Sequence, residues 1–133
     1  MKLTRASRYA LTTLAYLARE KPDATVASHN IAAAEGIPEK SLLKVLKPLV
    51  DVGILRSLKG PHGGYRLARP AKEVTLLEVI EAVDAPIRGA THDVSEWKEA
   101  AFDKRLQAVC DEAAALVREG LAKVTLAELA KGK

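Results

Sequence analysis

The chain has 133 residues, a net charge of +4 and a composition that is 48% hydrophobic but only 4% aromatic. That suits one domain of ordinary size, and no apolar run approaches the roughly 20 residues of a membrane span. A single cysteine, Cys110, excludes an internal disulfide and a framework of cysteine zinc ligands. The N-terminal stretch MKLTRASRYALTT lacks the continuous apolar run of a signal peptide, so a cytoplasmic protein with no membrane contact is expected.

Charge is divided along the chain. Residues 1–72 carry 13 Lys/Arg against 5 Asp/Glu, and residues 73–133 carry 8 against 12. A basic first half joined to an acidic second half predicts that the first half meets a polyanion.

Residues 4–19, with Leu3 just before them, place Leu3, Ala6, Ala10, Leu14 and Leu17 at helical spacing, with Thr4 or Ser7 to cap the start. VASHNIAAAEG predicts a short helix from about Ser28, stopped by Gly36, which tolerates the left-handed conformation at a helix end. Pro38 suits the first turn of a third helix, EKSLLKVLKPLVDV, which Gly53 stops. Helix, short turn and helix over 28–52 is the spacing of a helix-turn-helix. Leu42, Val45, Leu46, Leu49 and Val50 would face inward; Glu39, Lys40, Ser41, Lys44 and Lys47 would face out. Pro48 removes a helical hydrogen bond, so either the helix kinks there or its reading part ends near Lys47.

ILRSL (54–58) and YRLAR (65–69) predict two short strands joined by the tip GPHGG. Such a hairpin after a helix-turn-helix is a wing. Gly60, Gly63 and Gly64 allow tight turning and close approach to a surface, and Lys59, His62 and Arg66 bring positive charge or donors to it. A helix over 75–85 opens with a Thr75/Glu78 capping box. Residues 86–94 predict a loop, and a long helix is expected from Ser95 to about Glu119. In it Phe102, Leu106, Val109, Ala113 and Leu116 form a heptad seam of about two heptads, either pairing two chains or lying on its own domain. VTLAELAKG, with Thr125 and Glu128 as a second capping box, ends the chain as a helical turn or two. The fold expected is mainly α with a small β-hairpin wing. It divides into a winged helix-turn-helix unit (1–85), a loop (86–94) and a long helix with a C-terminal helical segment (95–133).

MKLTRASRYAL, the EGI turn, VGILRS, KGPHGGYRLARP, VTLLEVIEAVDAP and VTLAELA together resemble the Rrf-two family of bacterial winged-helix transcription regulators, which includes the IscR, NsrR and CymR types. The resemblance covers nearly the whole chain. It implies a homodimer paired through the long helix at Phe102, Leu106, Val109, Cys110, Ala113 and Leu116. It also implies two winged helix-turn-helix units on a roughly palindromic double-stranded DNA site. Carried over by position, Glu39, Lys40, Ser41 and Lys44 belong to a recognition helix, with Lys47 on phosphate. Lys59, Gly60, His62, Gly63, Gly64 and Tyr65 form the wing, and Ser28 joins the interface. Arg5, Arg8 and Tyr9 match backbone-contacting positions of the first helix.

The best-known members hold an iron–sulfur cluster through three cysteines in the loop before the long helix. The matching stretch here, RGATHDVSEWKEAAFDK, has none, so neither cofactor nor metal is expected. Cys110 reads as a small apolar side chain beside the seam or as a redox sensor, with Lys104, Arg105, Asp111 and Glu112 close in sequence. Trp97 reads as packing at the start of the long helix. No nucleophile–base pair or paired carboxylate argues for an enzyme. The residues point to a sequence-specific DNA-binding regulator, more in the manner of a repressor. The alternative is a winged-helix protein-interaction module without DNA binding. Operator, regulated genes and effector are not written in the chain.

Overall fold

The computed structural model describes residues 1–90 and 100–132. Six helices and one hairpin follow in the order α1 (Arg5–Ala18), α2 (Ser28–Glu35), α3 (Glu39–Asp51), β1 (Leu55–Leu58), β2 (Gly64–Leu67), α4 (Leu76–Val83), α5 (Ala100–Ala122) and α6 (Leu126–Lys131), with a 3₁₀ turn at Ala71–Glu73 before α4. This is the mainly helical, winged architecture expected from the sequence. His92, Ser95 and Trp97 lie outside the described residues.

Local chemistry sets most boundaries. Thr4 caps α1, its hydroxyl accepting from the Ser7 N–H at 3.1 Å. Gly36 ends α2 at φ 66°, the left-handed cap for which a side chain is costly. Thr75 and Glu78 form both halves of a capping box on α4. On α6 the Thr125 hydroxyl accepts from the Glu128 N–H, the forward half of the second box.

Helix α3 runs through Pro48 to Asp51 and ends with the Val52 N–H on the Pro48 carbonyl. An interior proline costs about 3 kcal/mol. Leu46 and Leu49, on either side of it, are fully buried, and each returns about 1.5–3 kcal/mol by leaving water. The packing outweighs the lost hydrogen bond, so the proline does not end the helix.

The core forms where α1, α3, α4 and the hairpin base meet. Leu14, Leu42, Leu46, Leu49 and Ile54 have essentially no exposure. Leu126 of α6 is equally buried, because α6 returns to pack on α1. A Thr75–Thr125 bridge and the Leu126 N–H on the Val74 carbonyl hold it there. Asp84, just past α4, accepts from both Thr4 Oγ1 (2.6 Å) and Ser7 Oγ (2.5 Å), fastening the end of α4 to the start of α1.

Helix α5 differs from all of these. None of its side chains is buried. It is held to α4 by an Arg118–Glu81 ion pair. Gly89 lies so close to the α5 backbone at Cys110 and Asp111 that no side chain would fit, and Gln107 Nε2 donates to its carbonyl at 2.7 Å.

Candidate nucleic-acid interface

The amphipathic pattern of α3 sends Leu42, Val45, Leu46 and Leu49 into the core and leaves Glu39, Lys40, Lys44 and Lys47 in solvent, with Ser41 half-buried. Lys47 pairs with Asp51 one turn on, at 3.2 Å. Among the described residues no ion pair holds Lys40 or Lys44. Positive charge is therefore strongest in the first half of the helix. Ser28 Oγ donates to Glu39 Oε1 at 3.1 Å, tying the start of α2 to the start of α3 and drawing the one carboxylate of that turn toward α2.

The hairpin is antiparallel, with Leu55 opposite Leu67 and Leu58 opposite Gly64. Its second strand has a further neighbour that the sequence reading missed. Val26 bridges Tyr65, exchanging backbone hydrogen bonds of 2.9 and 3.0 Å. Thr25 Oγ1 donates to the His62 carbonyl at 3.0 Å, anchoring the tip. The adjacent β-branched residues Thr25 and Val26 were the available signal. These bonds join the wing directly to the segment that opens α2.

Gly63 and Gly64 make their close approach inside the chain. A Cβ on Gly64, at φ 153°, would stand 2.5 Å from the Val26 backbone, and one on Gly63 would run into the backbone of Leu58 and Lys59. Their smallness builds the hairpin and its join to Val26. Gly60, Lys59 and His62 are exposed at the tip, and Tyr65 is half-buried against the core. Arg56 and Arg66 stand directly opposite each other in the register. Like charges so placed repel, and a nearby anion relieves them. Arg69, after β2, donates to Glu78 at 3.2 Å and to the Glu73 carbonyl at 2.7 Å, linking the wing base to α4. Burial pushes the Glu78 carboxyl up, but the Thr75 N–H and the Arg69 guanidinium outweigh it and hold it below the ordinary carboxylate range.

The first-helix residues assigned to this face sit on α1. Arg5 is exposed in the first turn of α1, and Tyr9 packs partly on the core. Arg8 borders a groove of about 450 Å³ lined by α1, α4, α6 and Glu35 at the end of α2, with Leu3, Leu11, Leu76 and Leu129 among its walls. No hydrogen bond among the described residues connects Arg8 to Ser28, α3 or the wing.

The seam residues of α5 are open to solvent. Phe102 is 60% exposed and Leu116 64%, and Leu106, Val109 and Ala113 are exposed with them. Cys110 is half-buried beside this stripe. A helix this long that covers none of its apolar stripe presents a surface suited to a partner. No described helix is long and apolar enough to cross a membrane.

Comparison with known proteins agrees with this geometry. Residues 3–132 match the family described as Rrf2, Iron-dependent Transcriptional regulator. The protein rrf2 of Nitratidesulfovibrio vulgaris is 36% identical over 65% of this chain and 60% of its own length. The HTH-type transcriptional regulator IscR of Photobacterium profundum is 34% identical over 65% of this chain and 51% of its own. The chain thus spans about half the length of the curated relatives it matches. The structure of CymR, the global cysteine regulator of Bacillus subtilis, superposes with a TM-score of 0.77 at 26% identity, covering 100% of this chain and 98% of that one.

The iron in the family's description meets a poor donor set here. A cluster takes thiolates, and this chain has one thiol. Among the described residues no group of three His, Cys, Asp or Glu side chains is arranged to hold a metal. With its winged helix, its basic α3 and a match along nearly its whole length, the chain belongs to the Rrf2 family of transcriptional regulators.

Proposed function

We propose that this chain binds double-stranded DNA as a homodimer, acts as a repressor, and does so without an iron–sulfur cluster and without enzymatic activity. The observation that carries the reading is the hydrogen-bonded unit made by α3 and the wing. Ser28–Glu39 ties α2 to α3, and Thr25–His62 with Val26–Tyr65 ties the wing to the start of α2. The unit presents Lys40, Lys44, Lys59 and His62 to solvent. A recognition helix of this kind enters the major groove, while a wing lies along the backbone or the adjacent minor groove.

Two such units, paired through the α5 seam, would meet half-sites about one helical turn apart. Helix α4 connects α5 to the wing base through Arg118–Glu81 and Arg69–Glu78. A change at the dimer helix therefore has a physical route to the DNA-facing unit, and a small rotation would put one half-site out of register. Cytoplasmic location follows from this role.

Titration of a fluorescent duplex, read by anisotropy at several KCl concentrations, tests the proposal. The logarithm of affinity should fall linearly with the logarithm of salt, because each neutralised phosphate releases counterions. Absent or salt-independent binding would instead support a protein-interaction module.

A further inference from the structure

One large apolar side chain that the fold leaves in water sits within the cationic face of α3. Leu43 is 45% exposed, although Leu42 beside it is fully buried. Helical spacing places it three and four residues from Lys40, Lys47 and Glu39, so its surface neighbours are charged. A lone exposed leucine is ordinary on a protein surface. This one, however, lies on the face argued above to meet DNA. Its helix propensity is no better than that of lysine, glutamine or glutamate, so the helix itself does not require an apolar residue there.

The major-groove edge of duplex DNA carries donors, acceptors and a single apolar group, the thymine 5-methyl. Lysines flanking Leu43 can reach phosphates or guanine acceptors, but an ammonium gains nothing from a methyl group. An isobutyl group beside those lysines does, because both surfaces leave water on contact. We propose that Leu43 is a specificity-determining residue that selects thymine by packing on its 5-methyl group. The assignment rests on the DNA reading of α3.

The test uses duplexes that the purified protein enriches from a random-sequence library. The preferred duplex is resynthesised with each thymine replaced in turn by uracil, which removes only the methyl. At one thymine position in each half-site, uracil should weaken binding about fourfold, the worth of one buried methyl. In Leu43→Ala the difference between thymine and uracil at that position should vanish, while effects at other positions stay. Because Leu43 is exposed, the variant should melt like the parent, and a melting curve verifies it. A uracil penalty that is the same in both proteins, or no position at which uracil matters, overturns the assignment. If no duplex is enriched, the DNA reading falls and this one with it; an enriched duplex indifferent to uracil removes the Leu43 assignment alone.

Discussion

The winged-helix unit and helix α5 are both built on amphipathic helices, yet they finish folding in different ways. In the first, the apolar stripes of α1, α3 and α4 meet one another, and Leu14, Leu42 and Leu46 lose all their exposure. In the second, a 23-residue helix fully buries none of its side chains, and Phe102, Val109 and Leu116 stay largely in solvent. The same pattern can therefore close a core within one chain or wait for a second surface. What separates the cases is whether another stripe of the same chain lies within reach, since helix stability in proteins comes mainly from packing.

Experiments can break that contrast, beginning with the strongest. Val109→Asp combined with Leu116→Asp places two charges in the seam. If the proposed homodimer pairs through this seam, sedimentation should show self-association weakened at least about a hundredfold relative to the parent. Circular dichroism of the winged-helix unit should hold; an unaltered dimer would place the interface elsewhere.

Leu126→Ala probes the other side of the contrast, because α6 follows α5 in sequence but its leucine is buried with α1. Denaturant unfolding should reveal a loss of about 2–5 kcal/mol. A loss well under 1 kcal/mol would mean that α6 is peripheral to the core.

Lys44→Ala should lower affinity for the preferred duplex by about 1–3 kcal/mol if the side chain reaches a base. If it touches only phosphate, affinity should fall equally on all sequences and the salt slope should drop by about one. Anisotropy on preferred and random duplexes separates the two outcomes.

The smallest effect concerns the Glu78 link between wing base and α4. Its carboxyl titrates below the ordinary range when folded. The stabilisation it adds is present above the unfolded-state value and is lost as pH falls through the lowered one. With both side chains of the Arg69 pair partly exposed, solvent screening limits it to a few tenths of a kcal/mol. Glu78→Gln should flatten the acid limb of a stability–pH curve below about pH 4.5 and change little at neutral pH. An unchanged acid limb would show that the pair contributes nothing.

The sequence legibly marked the elements whose cause is local. Thr75 announced a helix start, Thr4 or Ser7 offered another that the structure gives to Thr4, Gly36 announced a stop, and the four-and-three spacing from Phe102 to Leu116 announced a seam on a single helix. Pro48 was ambiguous, because a local rule predicts a break and only the burial of Leu46 and Leu49 says how much opposes it. The roles of Gly63 and Gly64 could not be read either. A glycine permits close approach without stating to what, and here the neighbour is the backbone of Leu58, Lys59 and Val26. Leu43 belonged to neither the inward nor the outward set, because helical spacing sets it at the border between them.

From its residues alone this protein determined its helix boundaries, its hairpin and its basic face, since caps, turns and periodicity act between residues close in the chain. Tertiary structure decided the rest. It set Val26 beside Tyr65, returned α6 to α1, and left the α5 seam uncovered. Those outcomes depend on which distant surfaces reach one another when the apolar stripes leave water, a quantity that no short window of sequence contains.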